Sequence, residues 1–206
     1  MVRFSIVAVH YEGVTDKDTL QTFVDSLKNQ TFKDFELVIL HDGPMKEDWG
    51  VDFYDLKVVK YVSLKRANIF GHNLRTIGMK ISSGEYIFHT NTDNLYYPTV
   101  FQILNLAIET SNQQVFVLKC RMKGLEYKDK KIFYSTPRNY DKSIVIDGVP
   151  LCFGNVDLMQ VCIKKSLWVK VGYWYDLSEQ SDGRIYEHLG SLFGYESVPL
   201  VIGEHY

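Results

Sequence analysis

Cysteine is scarce in this chain. Cys120, Cys152 and Cys162 are the only three among 206 residues. An odd number at wide spacing offers no disulfide framework and no metal-finger pattern, so a reducing compartment is expected. Long hydrophobic runs are also missing: no stretch approaches the roughly 20 apolar residues of a membrane span. The first residues, Met1-Val2-Arg3-Phe4, enter an apolar strand directly, so no secretory leader is expected. The expectation is a soluble, cytoplasmic protein with no transmembrane segment. Charge of one sign is not in excess either. Lys and Arg number 23 against 25 Asp and Glu, which gives no basic field for nucleic acid. Linker composition, internal repeats and low-complexity tracts are absent. A 46% hydrophobic fraction with 23% charged residues excludes a disordered chain, and the length suits one domain, 1–206.

A glycine cradle for phosphate is missing as well. The apolar run 4–10 passes into His10-Tyr11-Glu12-Gly13, which is neither a Walker A pattern nor a dinucleotide fingerprint. A site without that cradle must neutralise a diphosphate in another way, and a divalent metal held by carboxylates does so. Two further apolar runs do end in aspartate: Phe35-Glu36-Leu37-Val38-Ile39-Leu40-His41-Asp42-Gly43 and Glu85-Tyr86-Ile87-Phe88-His89-Thr90-Asn91-Thr92-Asp93-Asn94. A short buried strand that delivers a carboxylate to its C-terminal end builds a ligand site at the carboxyl edge of a parallel sheet.

The pattern along the chain supports that sheet. Runs 4–10, 35–41, 58–62 and 85–90 read as strands. Leu20, Phe23, Val24 and Leu27 recur at helical spacing over 18–30, with Thr15 or Asp16 as the cap. Leu74, Ile77, Met79 and Ile81 mark a helix over 72–82, with Gly84 as its stop. Pro98 suits the first turn of a helix over 97–110. Strands alternating with helices indicate βαβ units: an α/β fold with a mainly parallel central sheet flanked by helices. After residue 110 the regularity fades. Strand-like runs at 115–121, 131–136 and 143–149 precede helices near 165–170 and 179–193 and a last strand at 197–202. The fourteen tyrosines and twelve phenylalanines read chiefly as core. Tyr96-Tyr97 and Tyr173-Trp174-Tyr175 are read the same way, as core or rim rather than stacking platforms. His10, His41 and His89 match no compact zinc spacing.

Ser26-Leu27-Lys28-Asn29-Gln30-Thr31-Phe32-Lys33-Asp34-Phe35-Glu36-Leu37-Val38-Ile39, followed by Asp42-Gly43, resembles the first motif block of family 2 glycosyltransferases, which have the GT-A fold. Ser5-Ile6-Val7 with Tyr11 is similar to that family's opening strand. Arg75, Gly78 and Ser83-Gly84-Glu85-Tyr86-Ile87 match its second block, which leads to an Asp-X-Asp-like motif at Asn91-Thr92-Asp93. The resemblance covers residues 4–110 and implies a Rossmann-like, nucleotide-sugar-binding half over 1–110. A more irregular acceptor-binding half over 111–206 would follow. It implies that Asp42 accepts a hydrogen bond from the nucleotide base, and that Arg75 lies beside the base or diphosphate. Tyr11 and Asn91 would complete the donor-binding residues. Asp93 would bind Mn2+ or Mg2+, with His205 as a late second ligand. Departures from the family pattern are Asn91 in place of the first aspartate, His41 before Asp42, and Val9 where proline is frequent.

A fainter resemblance runs over Asp157 to Tyr173, similar to the family's acceptor side. Ser181-Asp182-Gly183 then falls where an acidic catalytic motif stands, so Asp182 is the expected base. Asp157, also an expected substrate-side residue, and Glu179 are reserves. The reaction implied is metal-dependent, inverting transfer of a sugar from a nucleoside-diphosphate sugar, UDP-linked by preference, to a hydroxyl acceptor. Two alternatives stay open: a catalytically silent nucleotide- or sugar-binding module, and a sugar nucleotidyltransferase. The second is disfavoured because no Gly-rich loop follows the first strand.

Overall fold

The computed structural model describes residues 2–11, 15–45, 48–67, 69–128, 131–134, 137 and 139–206. Glu12 and Gly13, and the last two residues of the expected strand 131–136, lie outside the described residues. The first half forms β1 (Phe4–His10), α1 (Lys17–Lys28), β2 (Phe35–His41), β3 (Val58–Val62), α2 (His72–Ile81) and β4 (Tyr86–Asn91). Every residue of β1 and β2 is buried, as strands covered on both faces must be. Asp16 caps α1, its side chain accepting from Thr19 N–H at 2.8 Å.

The second half adds β5 (Leu95–Tyr96), α3 (Val100–Thr110), β6 (Val115–Lys123), β7 (Leu125–Lys128), β8 (Lys131–Tyr134) and β9 (Ser143–Ile146). A 3-10 turn at Leu158–Gln160 leads into β10 (Val161–Lys164), α4 (Lys165–Val171), α5 (Ser181–Phe193) and β11 (Glu196–His205). The main sheet has the order β3-β2-β1-β4-β10-β6-β11-β5, with β9 paired to β6; β7 and β8 form a separate hairpin. Strands β1, β2, β3, β4, β6 and β11 run one way, while β5, β9 and β10 run the other.

Alternation along the strands divides the core into two layers. Phe4, Ile6 and Ala8 pack with Leu20, Phe23 and Leu27 of α1 and Phe101 and Leu104 of α3. Val7 and Val9 face the other way, toward Leu74 and Met79 of α2, Trp168 of α4 and Tyr186 of α5. Gly78 lets α2 press on the sheet, since a Cβ there would stand 2.5 Å from Val7 Cγ1 and 2.9 Å from Leu40 Cδ1.

Two local expectations are corrected. Gly84 does not stop α2; Ser82 does, with extended backbone and its Oγ donating to Met79 O at 2.7 Å. Gly84 instead lies against Ser5, its N–H donating to Ser5 Oγ at 2.8 Å. Pro98 precedes α3 rather than sitting in its first turn, because Leu95 and Tyr96 are taken up by pairing with Glu204 and Gly203 of β11. Its carbonyl accepts from Thr31 N–H at 2.8 Å. Among the described residues no helix is long and apolar enough to cross a membrane.

Candidate functional site

Strands β2, β1 and β4 are neighbours in parallel register, so their C-terminal loops emerge together. Asp42 N–H donates to His10 O at 3.1 Å, and Thr92 N–H donates to Val9 O at 3.2 Å. Consecutive carbonyls at the end of β1 therefore tie down the loops on both sides. Asp42 and Asp93 flank β1, two strand spacings or roughly 10 Å apart in the backbone. Asp42 is buried; its Oδ1 accepts from Ala67 N–H at 3.0 Å. Its Oδ2 is buried with no hydrogen-bond partner among the described residues. Gly43 turns the chain here at φ +110°, in the left-handed region that glycine adopts freely, with Arg66 against it. The dipeptide is thus a turn as well as a presentation of Asp42.

Tyr11 stands at the same edge. Burial pushes its phenol up to about 12, and Arg75, Asp42, Arg66 and Asp93 all act on it through their charges. Tyr11, Asp42 and Asp93 thus stand at one edge of the sheet.

Arg75, on the first turns of α2, is the buried cation of the site, only 1% exposed. Its Nη1 donates to Thr90 O at 3.1 Å and its Nη2 to Asn91 Oδ1 at 2.8 Å. Its guanidinium lies 5.6 Å from the centre of the Trp174 ring. Burial pulls its pKa down, while Tyr11, Tyr186, Asp182 and Asp157 act to hold it up. The indole Nε1 of Trp174 donates to Ser181 Oγ at 2.9 Å, tying α5 to this hub.

Asp182 lies in the first turn of α5, its Oδ1 accepting from Gly183 N–H at 2.9 Å. Burial raises its carboxyl, and the charge of Asp157 adds to the rise; Gly183 N–H and Arg75 oppose it. Asp157 behaves in the opposite way. Burial would raise it, but the His205 ring and the N–H groups of Met159 and Leu158 outweigh burial and hold it below the ordinary carboxylate range. Its Oδ1 lies 3.3 Å from His205 Nδ1, and the same carboxylate caps the 3-10 turn in a reciprocal pair with Gln160. Asp157 therefore has structural duties in full. Glu179 precedes α5 and is exposed.

The residues expected to hold a metal do not form a cage. His205 is paired with Asp157, and Asn91 Oδ1, next to Asp93 in the Asp-X-Asp-like motif, is taken by Arg75. The β5–β11 register carries His205 toward Asp93, and Asp93 lines a cavity of about 530 Å3 with Tyr206, Tyr140 and Thr19. Among the described residues no group of three or more His, Cys, Asp or Glu could hold a metal ion. Of the two expected ligands Asp93 lines this cavity, and a carboxylate is an oxygen donor of the kind that suits a divalent cation.

The strand-end histidines lie in two places. His10 and His41 are 5.1 Å apart, centre to centre, against Trp49. His89 is wedged against Trp168 and Trp174. Tyr96 and Trp174 are core residues; Tyr175 is exposed. Sequence reading missed two contributors. The Ala67 N–H that holds Asp42 is a backbone group in an irregular loop, with no side-chain signal. Trp174 is visible as part of an aromatic triplet, but its place over Arg75 depends on a contact between α2 and the loop after α4, far apart in the chain.

In a mainly parallel α/β sheet ligands bind outside the carboxyl ends of the strands, where these carboxylates and the buried arginine stand. The model of the family described as "Glycosyl transferase family 2" matches residues 5–168. The chain belongs to glycosyl transferase family 2. It is 25% identical over 172 residues to an uncharacterized glycosyltransferase of Rickettsia typhi, covering 82% of this chain and 52% of that protein. It is 27% identical over 94 residues to the uncharacterized glycosyltransferase YibD of Escherichia coli K12, covering 45% of this chain and 27% of that one. This chain thus spans about half, or less, of the length of these relatives. Among solved structures, S. aureus TarS in complex with UDP superposes with a TM-score of 0.69 at 12% identity, covering 98% of this chain and 60% of that chain. The mannosyltransferase PcManGT of Pyrobaculum calidifontis, in complex with GDP-Man and Mn2+, gives 0.67 at 12% identity, with 99% and 56% coverage. At such identities these two likenesses establish the shared GT-A fold.

Proposed function

We propose that this chain is a glycosyltransferase that moves a sugar from a nucleoside-diphosphate sugar, UDP-linked by preference, to an acceptor hydroxyl with inversion. The observation that carries the reading is Asp42: a buried carboxylate with one oxygen fixed by a backbone N–H and the other unpartnered, at the end of a parallel strand. A buried acceptor left unmade costs about 1–3 kcal/mol or more, which a ligand donor would recover. The imide N–H of a pyrimidine, or its purine equivalent, supplies that donor. Residues 1–110 would hold the donor and 111–206 the acceptor. Tyr11 closes over the base side, while Arg75 and Asn91 border the diphosphate.

Asp93 would hold Mn2+ or Mg2+ together with the diphosphate, with His205 the next candidate. A bound divalent cation supplies Lewis-acid stabilisation of the leaving diphosphate. The remaining chemistry belongs to the chain. Inversion by direct displacement needs a base on the face opposite the leaving group, placed to take the acceptor's proton. Asp182 and Asp157 are two interacting carboxylates whose surroundings push their pKa values apart, up for Asp182 and down for Asp157. The raised member is the stronger base, and Asp182 is assigned that role. As the C–O bond to the leaving diphosphate breaks, the acceptor oxygen bonds the anomeric carbon and Asp182 takes its proton.

Relatives of the fold that bind UDP, UDP-GlcNAc or GDP-Man support this reading. A thermal-shift panel of nucleoside diphosphates and their sugars, with and without manganese, tests it, because a ligand that binds only the folded state stabilises it. The expected result is a rise in Tm with one base. No shift with any of them would defeat the proposal, and binding with neither transfer nor donor hydrolysis would favour a catalytically silent module.

A further inference from the structure

Among the described residues Arg75 is held only by neutral acceptors: the Thr90 carbonyl at 3.1 Å and the Asn91 amide oxygen at 2.8 Å. Its Nε is buried with no hydrogen-bond partner, and among the described residues no carboxylate lies within ion-pair distance of it. A guanidinium buried this way keeps its full charge in a medium that screens poorly, an arrangement that invites an anion. An aspartate at position 91 would set a carboxylate against Nη2 and cancel that charge. Asparagine does not.

The contact also fixes the amide. Arginine only donates, so Asn91 must turn Oδ1 toward Arg75, which leaves its two Nδ2 hydrogens facing away. Asn91 is partly exposed at the end of β4. It therefore offers N–H donors where a metal ligand would offer a lone pair. Cation and donor group both suit phosphate oxygens.

We propose that Asn91, its amide turned outward by the buried Arg75, donates to the diphosphate with that charge behind it, so that this chain binds a nucleoside diphosphate without a divalent metal. The proposal rests on the glycosyltransferase reading and narrows it: metal would serve the transfer and not the binding.

Calorimetric titration of UDP and of GDP into the protein, in EDTA and then in manganese, tests it. For whichever nucleotide binds, the affinity in EDTA is expected to lie within about tenfold of that in manganese. Asn91→Asp should weaken binding in EDTA by at least tenfold while raising the Tm of the ligand-free protein, since the buried guanidinium gains a partner. That pairing of a firmer fold with a poorer site is not what simple damage would produce. Binding of the wild-type protein only in manganese overturns the proposal and leaves the glycosyltransferase reading standing, as does an N91D protein that binds as tightly as wild type in EDTA. Binding of neither nucleotide under either condition overturns both. The wild-type comparison decides the matter even where N91D fails to fold.

Discussion

Glu36 and Asp42 sit on the two ends of the same strand path, both buried, and their surroundings differ in kind. At the amino end, Glu36 Oε1 accepts from Ser5 Oγ at 2.7 Å and from Ser83 N–H, while Oε2 accepts from Ser83 Oγ at 2.7 Å and pairs with Lys57 at 2.9 Å. Burial works to raise this carboxyl, yet those donors bring it down to about 2. At the carboxyl end, Asp42 has, among the described residues, one bond from a backbone N–H and one oxygen with none. Buried polar groups in folded proteins are normally paired, so an incomplete one marks a place where something else belongs. The amino end uses its carboxylate to hold strands and loops together. In the proposed reading, the carboxyl end keeps its own for a ligand.

Variants at the carboxyl end should change function and leave the fold. The largest effect is expected from Asp182→Asn, which removes the base: kcat should fall by roughly 10²–10⁴-fold with donor affinity nearly unchanged. In the wild-type protein the rate should decline as pH falls through the raised pKa of Asp182, at a pH above the ordinary carboxylate value of 3.8. Turnover by D182N with an unaltered pH profile would move the base elsewhere. Asp42→Asn should weaken donor binding by roughly 10- to 100-fold, the scale of one hydrogen bond to a charged group, with no loss in Tm. A D42N protein that melts well below wild type would place Asp42 among the structural carboxylates and erase the contrast.

Glu36→Gln should do the reverse. Loss of a charged acceptor serving several donors costs about 2 kcal/mol, or roughly 4–8 °C in Tm for a chain of this size, with donor affinity intact. The stability that Glu36 contributes is present above its unfolded value of 4.5 and is lost as pH falls from there toward about 2. The smallest effect per group concerns His72 and His89. Burial, the first cause for both, lowers His72 to about 4 and His89 well below 6.5. The unfolded chain therefore takes up protons below pH 6.5 that the folded chain refuses. Urea midpoints at pH 7 and pH 5.5 should differ by an amount equivalent to about 1 kcal/mol per histidine. Equal midpoints would mean that these rings are not held neutral.

The sequence made one part of this molecule far easier to read than the other. Over residues 4–110 the strands and helices follow local hydrophobic periods, and β1, β2 and β3 fall where the pattern puts them. The elements it missed owe their existence to distant partners. Two-residue β5 is a strand only because β11 lies beside it, about a hundred residues later. By contrast β10, a four-residue run inserted antiparallel between β4 and β6, is implied by the resemblance over Asp157 to Tyr173, a strand running into a short helix, and not by local periodicity. In the site, Asp42 and Asp93 were legible because a strand end fixes where its next residue goes. The environment of Arg75 was not, since a helical arginine reads by default as solvated, and its burial depends on Trp174 nearly a hundred residues away. The Asp157–His205 contact joins a turn cap to the last strand, and no local spacing announces it.

A crystal structure of the protein soaked with UDP or GDP goes most directly to the point. The base should donate to Asp42 Oδ2, and the diphosphate should lie across the end of β1 toward Arg75, leaving Glu36 and its donors unmoved. A nucleotide bound away from that edge, with Asp42 Oδ2 satisfied by the protein itself, would contradict the division between the two ends of the sheet.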